Sequence, residues 1–118
     1  MALSVTHRAP DERIFGRLAS DLVAELPERL STRVLDNARR IPEQPALVDG
    51  EVRWRYVDLG RKILEARDWL VSLGIRPGDR LMTVGENSRA LVVLLLAASE
   101  LDAWVAIVNS RLSAKEID

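Results

Sequence analysis

The 118-residue sequence contains no cysteine. Disulfides, thiolate catalysis and Cys-based metal sites are thereby excluded, and the redox compartment cannot be read from it. Histidine occurs once, as His7 in a polar N-terminal stretch. No serine therefore has a plausible histidine partner for triad chemistry. Charge of one sign is also lacking. The formal net charge is -1, so no strong field points toward nucleic acid or anionic lipid. No long hydrophobic run exists. The longest, Ala90 to Ala98, falls well short of the about 20 residues a membrane span needs. Acids at Asp11 and Glu12 precede any apolar run, which argues against a signal peptide. The default expectation is a cytoplasmic protein.

What is present has an ordinary soluble balance, 47% hydrophobic and 30% charged, enough for one small domain or part of a larger one. Ile14, Phe15, Leu18, Leu22 and Leu26 recur as one apolar stripe, predicting an amphipathic helix from Asp11 that ends at Pro27 and packs on the domain through Leu18 and Leu22. A second helix is expected from Ser31 or Thr32, either of which can cap it. Val34, Leu35 and Ala38 form its buried side, and Ile41-Pro42 stops it. Pro45 to Val48, Asp49-Gly50 and Glu51 to Arg55 read as a hairpin with Val52 and Trp54 on one face. Tyr56, Leu59, Ile63, Ala66, Leu70 and Leu73 recur at steps of three and four, and Gly74 follows as a C-cap. Arg76 to Asp79 is a turn, and Arg80 to Glu86 a short strand. Asn87 or Ser88 can cap a helix over Arg89 to Leu101 that is apolar on nearly all sides and so should be sandwiched between layers. Ala103 to Val108 is a continuous apolar run, the pattern of a parallel strand buried on both faces. Strand, helix and strand would make a right-handed βαβ unit. Ser113-Ala114-Lys115-Glu116 has the form of a capping box, a helix start reached just before Asp118. That pattern suggests a fragment of a longer chain.

Candidate chemistry is thin. The turn Gly85-Glu86-Asn87-Ser88 stands between a strand and a helix, where free backbone N–H groups can bind phosphate. It has one glycine and no lysine, and fits neither the dinucleotide nor the P-loop pattern. The simpler reading is a turn whose Asn or Ser caps the helix. The acid pairs Asp11-Glu12 and Asp49/Glu51 sit where no burial would raise a carboxyl pKa, so surface charge is favoured. Trp54, Trp69 and Trp104 are placed for core packing rather than ligand stacking.

Taken in order, five segments resemble the adenylate-forming acyl-CoA synthetase and ligase superfamily. Ile41 to Val48 is similar to its A-x-x-x-P-D/E-x-x-A-L/V opening, and Trp54-Arg55-Tyr56-Val57-Asp58-Leu59 to its x-T-Y-x-E-L. Leu73 to Arg80 resembles x-G-V/I-x-x-G-D-R-V, Glu86-Asn87-Ser88 resembles x-N-S, and Ala103 to Leu112 resembles G-A-x-x-V-P-x-N-x-R-L. Two positions depart. Arg55 replaces a threonine that would cap the following helix, so that helix should start less firmly, and Asp102 replaces a common glycine.

The resemblance implies an α/β fold: a partial N-terminal subdomain with a mostly parallel sheet, flanking helices and a β-hairpin. Residues 1–29 would be an extension with an amphipathic helix, and 30–118 a truncated N-terminal domain. It implies a parent enzyme that uses ATP and Mg2+ to convert a carboxylic acid to an acyl-adenylate, then transfers the acyl group to CoA. No catalytic residue of that chemistry falls in this chain. Arg111, the arginine of N-x-R-L, would contact the phosphate on the CoA ribose; the alternative is a surface arginine beside a helix start. No cofactor is expected on the chain alone. Its partner would be the rest of the parent polypeptide, with no nucleic acid and no membrane span. Self-association is expected where later elements would otherwise cover the last helix and strand. Two rivals stand beside this: a fragment of a carrier-protein adenylation domain, and a non-catalytic α/β interaction module.

Overall fold

Phe15 and Gly16 decide how the chain begins. Both take positive φ, 51° and 77°, in a computed structural model that describes residues 13–111 and Lys115. Positive φ at both central residues of a two-residue loop is the type I′ hairpin turn. Across it, β1 (Arg13–Ile14) pairs antiparallel with β2 (Arg17–Leu18). The helix expected from Asp11 to Leu26 is therefore broken, and among the described residues of that stretch the six of α1 (Ala19–Ala24) are the helical ones. None of them is buried, and Phe15 is 98% exposed. Leu22 does not centre a stripe on the core as the periodicity predicts.

α2 (Leu30–Arg40) ends at Ile41 as expected, but its start differs. Its N-cap is Arg29, with no side-chain cap. Ser31 lies inside the first turn, fully buried, and points at the far end of another helix. β3 (Pro45–Asp49) and β4 (Val52–Arg55) form the expected hairpin, with Asp49 opposite Val52. The loop is thus Gly50-Glu51, one residue later than the Asp-Gly signal suggests. Gly50 has φ 60° while Glu51 stays negative, the pattern of a II′ turn with glycine first. Val52 and Trp54 share the half-buried face.

α3 (Tyr56–Ser72) carries the predicted stripe, with Leu59, Ile63 and Leu70 buried. Its end is a Schellman motif: the Ile75 amide donates to the Leu70 carbonyl and the Gly74 amide to Val71, with Gly74 at φ 90°. Its start is firmer than the loss of a threonine cap implies. The Asp58 carboxylate reaches back to accept from the Arg55 amide at 3.0 Å and from the Arg55 guanidinium at 3.1 Å. Glu43 accepts a further guanidinium bond at 2.5 Å. These bonds hold the Asp58 carboxyl below its ordinary value of 3.8, Arg55 hydrogen bonding being the largest cause. A lowered carboxyl pKa gives stability that is present above 3.8 and lost as pH falls through the lower folded-state value. The stability advantage of wild type over Asp58→Asn, read as urea midpoints, should therefore be larger at about pH 7 than at about pH 2. Equal differences at both would refute the ionic cap.

β5 (Arg80–Gly85), α4 (Arg89–Glu100) and β6 (Trp104–Asn109) form the expected βαβ unit, with β5 and β6 parallel and in register from Arg80 opposite Trp104 to Gly85 opposite Asn109. Ser88 is the helix cap, accepting from the Leu91 amide at 3.3 Å. The core lies between α3 and α4, where Leu59, Ile63, Val93 and Leu96 are buried and Val34, Leu35, Ala46, Trp54, Ala66 and Val92 pack around them. Gly60 lets α2 approach: a Cβ there would stand 2.8 Å from the Ala38 Cβ.

Three expectations about this half need correcting. Among the described residues the strands form three two-stranded sheets, of which only β5-β6 is parallel, so the sheet is not mostly parallel. β6 is not buried on both faces: Trp104 is 70% and Ile107 53% exposed. α4 covers one face, leaving Leu81, Thr83 and Val105 half-buried, while Met82, Val84, Trp104 and Ala106 on the other stay exposed. Of the three tryptophans only Trp54 joins the core; Trp69 is 55% exposed. The capping box at 113–116 lies outside the described residues, Lys115 excepted.

Candidate functional site

In a parallel βαβ unit the strands end on the side where the helix begins, and ligands of such sheets bind outside those carboxyl ends. Here that edge is formed by Gly85, Glu86 and Asn87 after β5 and by Asn109 and Arg111 after β6. With Ile107 they line an open cleft of about 490 Å³. Asn109 shapes the turn by accepting the Arg111 amide at 2.9 Å. The Arg111 side chain is exposed, so it is available to a soluble ligand. A guanidinium beside two amide side chains suits an anionic oxygen cluster, because its fork can donate two parallel bonds. Glu86 in the same cleft offsets that cation, so the lining side chains carry no net formal charge.

The structure thus brings Arg111 and the Gly85 to Ser88 turn to one edge, which sequence spacing alone does not show. The same turn does not suit a triphosphate: it holds one glycine and no lysine, and its Ser88 hydroxyl is already used as the helix cap. No group of three or more His, Cys, Asp and Glu that could hold a metal ion occurs among the described residues. No helix among them is long and apolar enough to cross a membrane.

A second cluster was not legible in the sequence. At the start of α4 the Arg89 guanidinium stands 5.4 Å from the Trp54 ring centroid and 3.3 Å from the Asp49 carboxylate. Arg89 thereby fastens the β3-β4 hairpin to α4 through a cation–π contact and an ion pair. Asp49, expected as mere surface charge, has this partner.

A parallel βαβ corner with a polar edge, joined to a hairpin and a helical layer, makes the chain an α/β unit. A sequence profile of the AMP-binding enzyme family matches residues 34–118, and the chain belongs to that family. Mitochondrial medium-chain acyl-CoA ligase ACSF2 of Bos taurus is 36% identical over 107 residues, covering 88% of this chain and 17% of that protein. Feruloyl-CoA synthase of an Amycolatopsis species is 32% identical over 81 residues, covering 69% of this chain and 16% of the synthase. Among solved structures, the inhibitor-bound N-terminal domain of FACL13 from Mycobacterium tuberculosis superposes with a TM-score of 0.73 at 28% identity, covering 77% of this chain and 23% of that one. IdnL1 superposes at 0.71 and 29% identity, covering 82% of this chain and 20% of its own. The chain therefore spans less than a quarter of the length of each of these relatives.

Proposed function

We propose that this chain is the N-terminal part of an AMP-forming acid–CoA ligase, and that its own contribution is the Arg111 edge. The observation that carries the reading is the 36% identity to a protein named an acyl-CoA ligase, along 88% of the chain. In the complete enzyme ATP would supply the adenylyl group, with Mg2+ as its counter-ion, and CoA the accepting thiol. The residues here do not furnish a triphosphate site, so adenylation belongs to the remainder of the polypeptide. Arg111 donates its guanidinium bonds to the phosphate on the CoA ribose and so orients CoA without touching the reacting carbonyl. The carboxylic acid substrate is not specified by these residues. A cytoplasmic location belongs to this reading; the bovine relative is a mitochondrial protein by name.

The test uses the full-length enzyme. Arg111→Ala should raise the KM for CoA by about tenfold or more, since a charge-assisted bond to an ionic group contributes roughly 1.5–3 kcal/mol. ATP–pyrophosphate exchange, which reports only the first half-reaction, should be unchanged. The 118-residue chain alone should give no exchange above a protein-free blank across a panel of acids. Unaltered CoA dependence in Arg111→Ala would remove the residue from the site. Exchange by the short chain would overturn the division of labour.

A further inference from the structure

Two helices of this fold end in the same motif with different residues at its critical position. α3 closes with Gly74 in the left-handed conformation. α4 closes with the same pair of bonds, the Ala103 amide to the Ala98 carbonyl and the Asp102 amide to Ser99, but the left-handed residue is Asp102, at φ 55°. An aspartate is strained there where a glycine is not. The motif itself requires no side chain, so a contact made by this one is a reason for an aspartate to stand where glycine is the easier residue.

The side chain has a partner 73 residues away. Arg29 donates from Nε to Asp102 Oδ1 and from a terminal nitrogen to Oδ2, both at 2.8 Å. Beside this pair the buried Ser31 hydroxyl donates to Glu100 at 2.5 Å and lies 3.4 Å from the Ser99 hydroxyl. The Ser31 amide, one of the unpaired donors of a helix start, faces Ser99 at 3.5 Å. Arg29 and Ser31 both precede residue 34, where the family match begins; Ser99, Glu100 and Asp102 lie within it. Glu28 and Glu100 are the other charges felt by Arg29, and both favour its positive form.

We propose that these contacts form a clasp. It docks the segment before the family-matched region onto the α4-β6 corner, and Asp102 holds its strained backbone because that position aims its carboxylate at Arg29. The clasp is a local latch: opening it frees the start of α2 while the α3-α4 core stays closed. Its ionic half is partly exposed, the Arg29 and Asp102 side chains being 42% and 54% accessible, so salt weakens it.

The experiment is a double-mutant cycle on the full 118-residue chain, read by native-state amide exchange across residues 30–35 and by thermal midpoint. Arg29→Ala and Asp102→Gly should each speed exchange in that stretch by roughly two- to fivefold, the range of an exposed ion pair, with no further gain in the double variant. The midpoints separate the two halves of the idea. Once Arg29 is gone the aspartate retains only its strain, so Arg29→Ala/Asp102→Gly should melt higher than Arg29→Ala alone. Unchanged exchange in both single variants would remove the clasp. A double variant that melts below Arg29→Ala would show that Asp102 serves the corner for a reason unrelated to Arg29. Either result overturns the proposal.

Discussion

Ile63→Ala is expected to unfold most of the domain's stability margin. Ile63 is fully buried at the centre of α3, in one cluster with Leu59, Val93 and Leu96. Removing its outer carbons loses transfer free energy and leaves a cavity that two rigid helices cannot close, a cost of about 2–5 kcal/mol. Natural domains hold only about 5–15 kcal/mol in total. The described core is one small cluster, which places this chain toward the low end. Urea unfolding followed by circular dichroism should show a midpoint well below wild type with an unchanged slope. Leu22→Ala is the internal control: α1 buries none of its residues, so its midpoint should stay within the range of ordinary surface changes, about 0.5 kcal/mol. An Ile63→Ala midpoint equal to that of Leu22→Ala would mean the helical layer is not the core.

The contrast between those two positions shows where sequence periodicity succeeds. α3 is legible because its stripe runs unbroken over 17 residues and ends at a glycine in the required conformation. The stripe through Ile14 and Leu18 has the same spacing, yet Phe15 and Gly16 adopt a hairpin turn and divide it. Periodicity reports which residues are apolar, not whether the backbone between them is helical. The βαβ order of β5, α4 and β6 was legible for the same reason as α3. The degree of cover was not, because a continuous apolar strand requires two layers and says nothing about whether both lie within one stretch of chain. The candidate edge was half legible: Arg111 entered through a resemblance and the Gly85 to Ser88 turn through its place between a strand and a helix, but only the parallel pairing brings the two together. The Arg29–Asp102 and Arg89–Trp54 contacts were not legible as pairs, since each joins residues far apart in the chain, although Asp102 stood out as a departure from a common glycine.

The chain in isolation is expected to associate through the bare face of its parallel pair. Parallel sheets are found almost only with both faces covered, because neither face carries enough polar surface to stay wet. On this face Trp104 is 70%, Met82 59% and Val84 57% exposed, with Ala106 between them and Arg80 at one end as the only charge. β5 and β6 also each present an unpaired edge among the described residues, a template for pairing with another strand. Two copies related by a two-fold axis running across the strands would set Trp104 of one over Val108 of the other and keep the two Arg80 side chains at opposite ends. That arrangement buries apolar surface without opposing like charges. Light scattering coupled to size exclusion at micromolar concentration should report a mass above the 13.2 kDa of one chain. Trp104→Glu should return the monomer, because it replaces the most exposed apolar side chain of that face with a carboxylate while leaving the α3-α4 core untouched. A wild-type monomer that binds no apolar dye would show that the face is covered by the chain's own residues. Association that survives Trp104→Glu would place the contact on the strand edges instead, where backbone hydrogen bonds and not side chains hold the copies together.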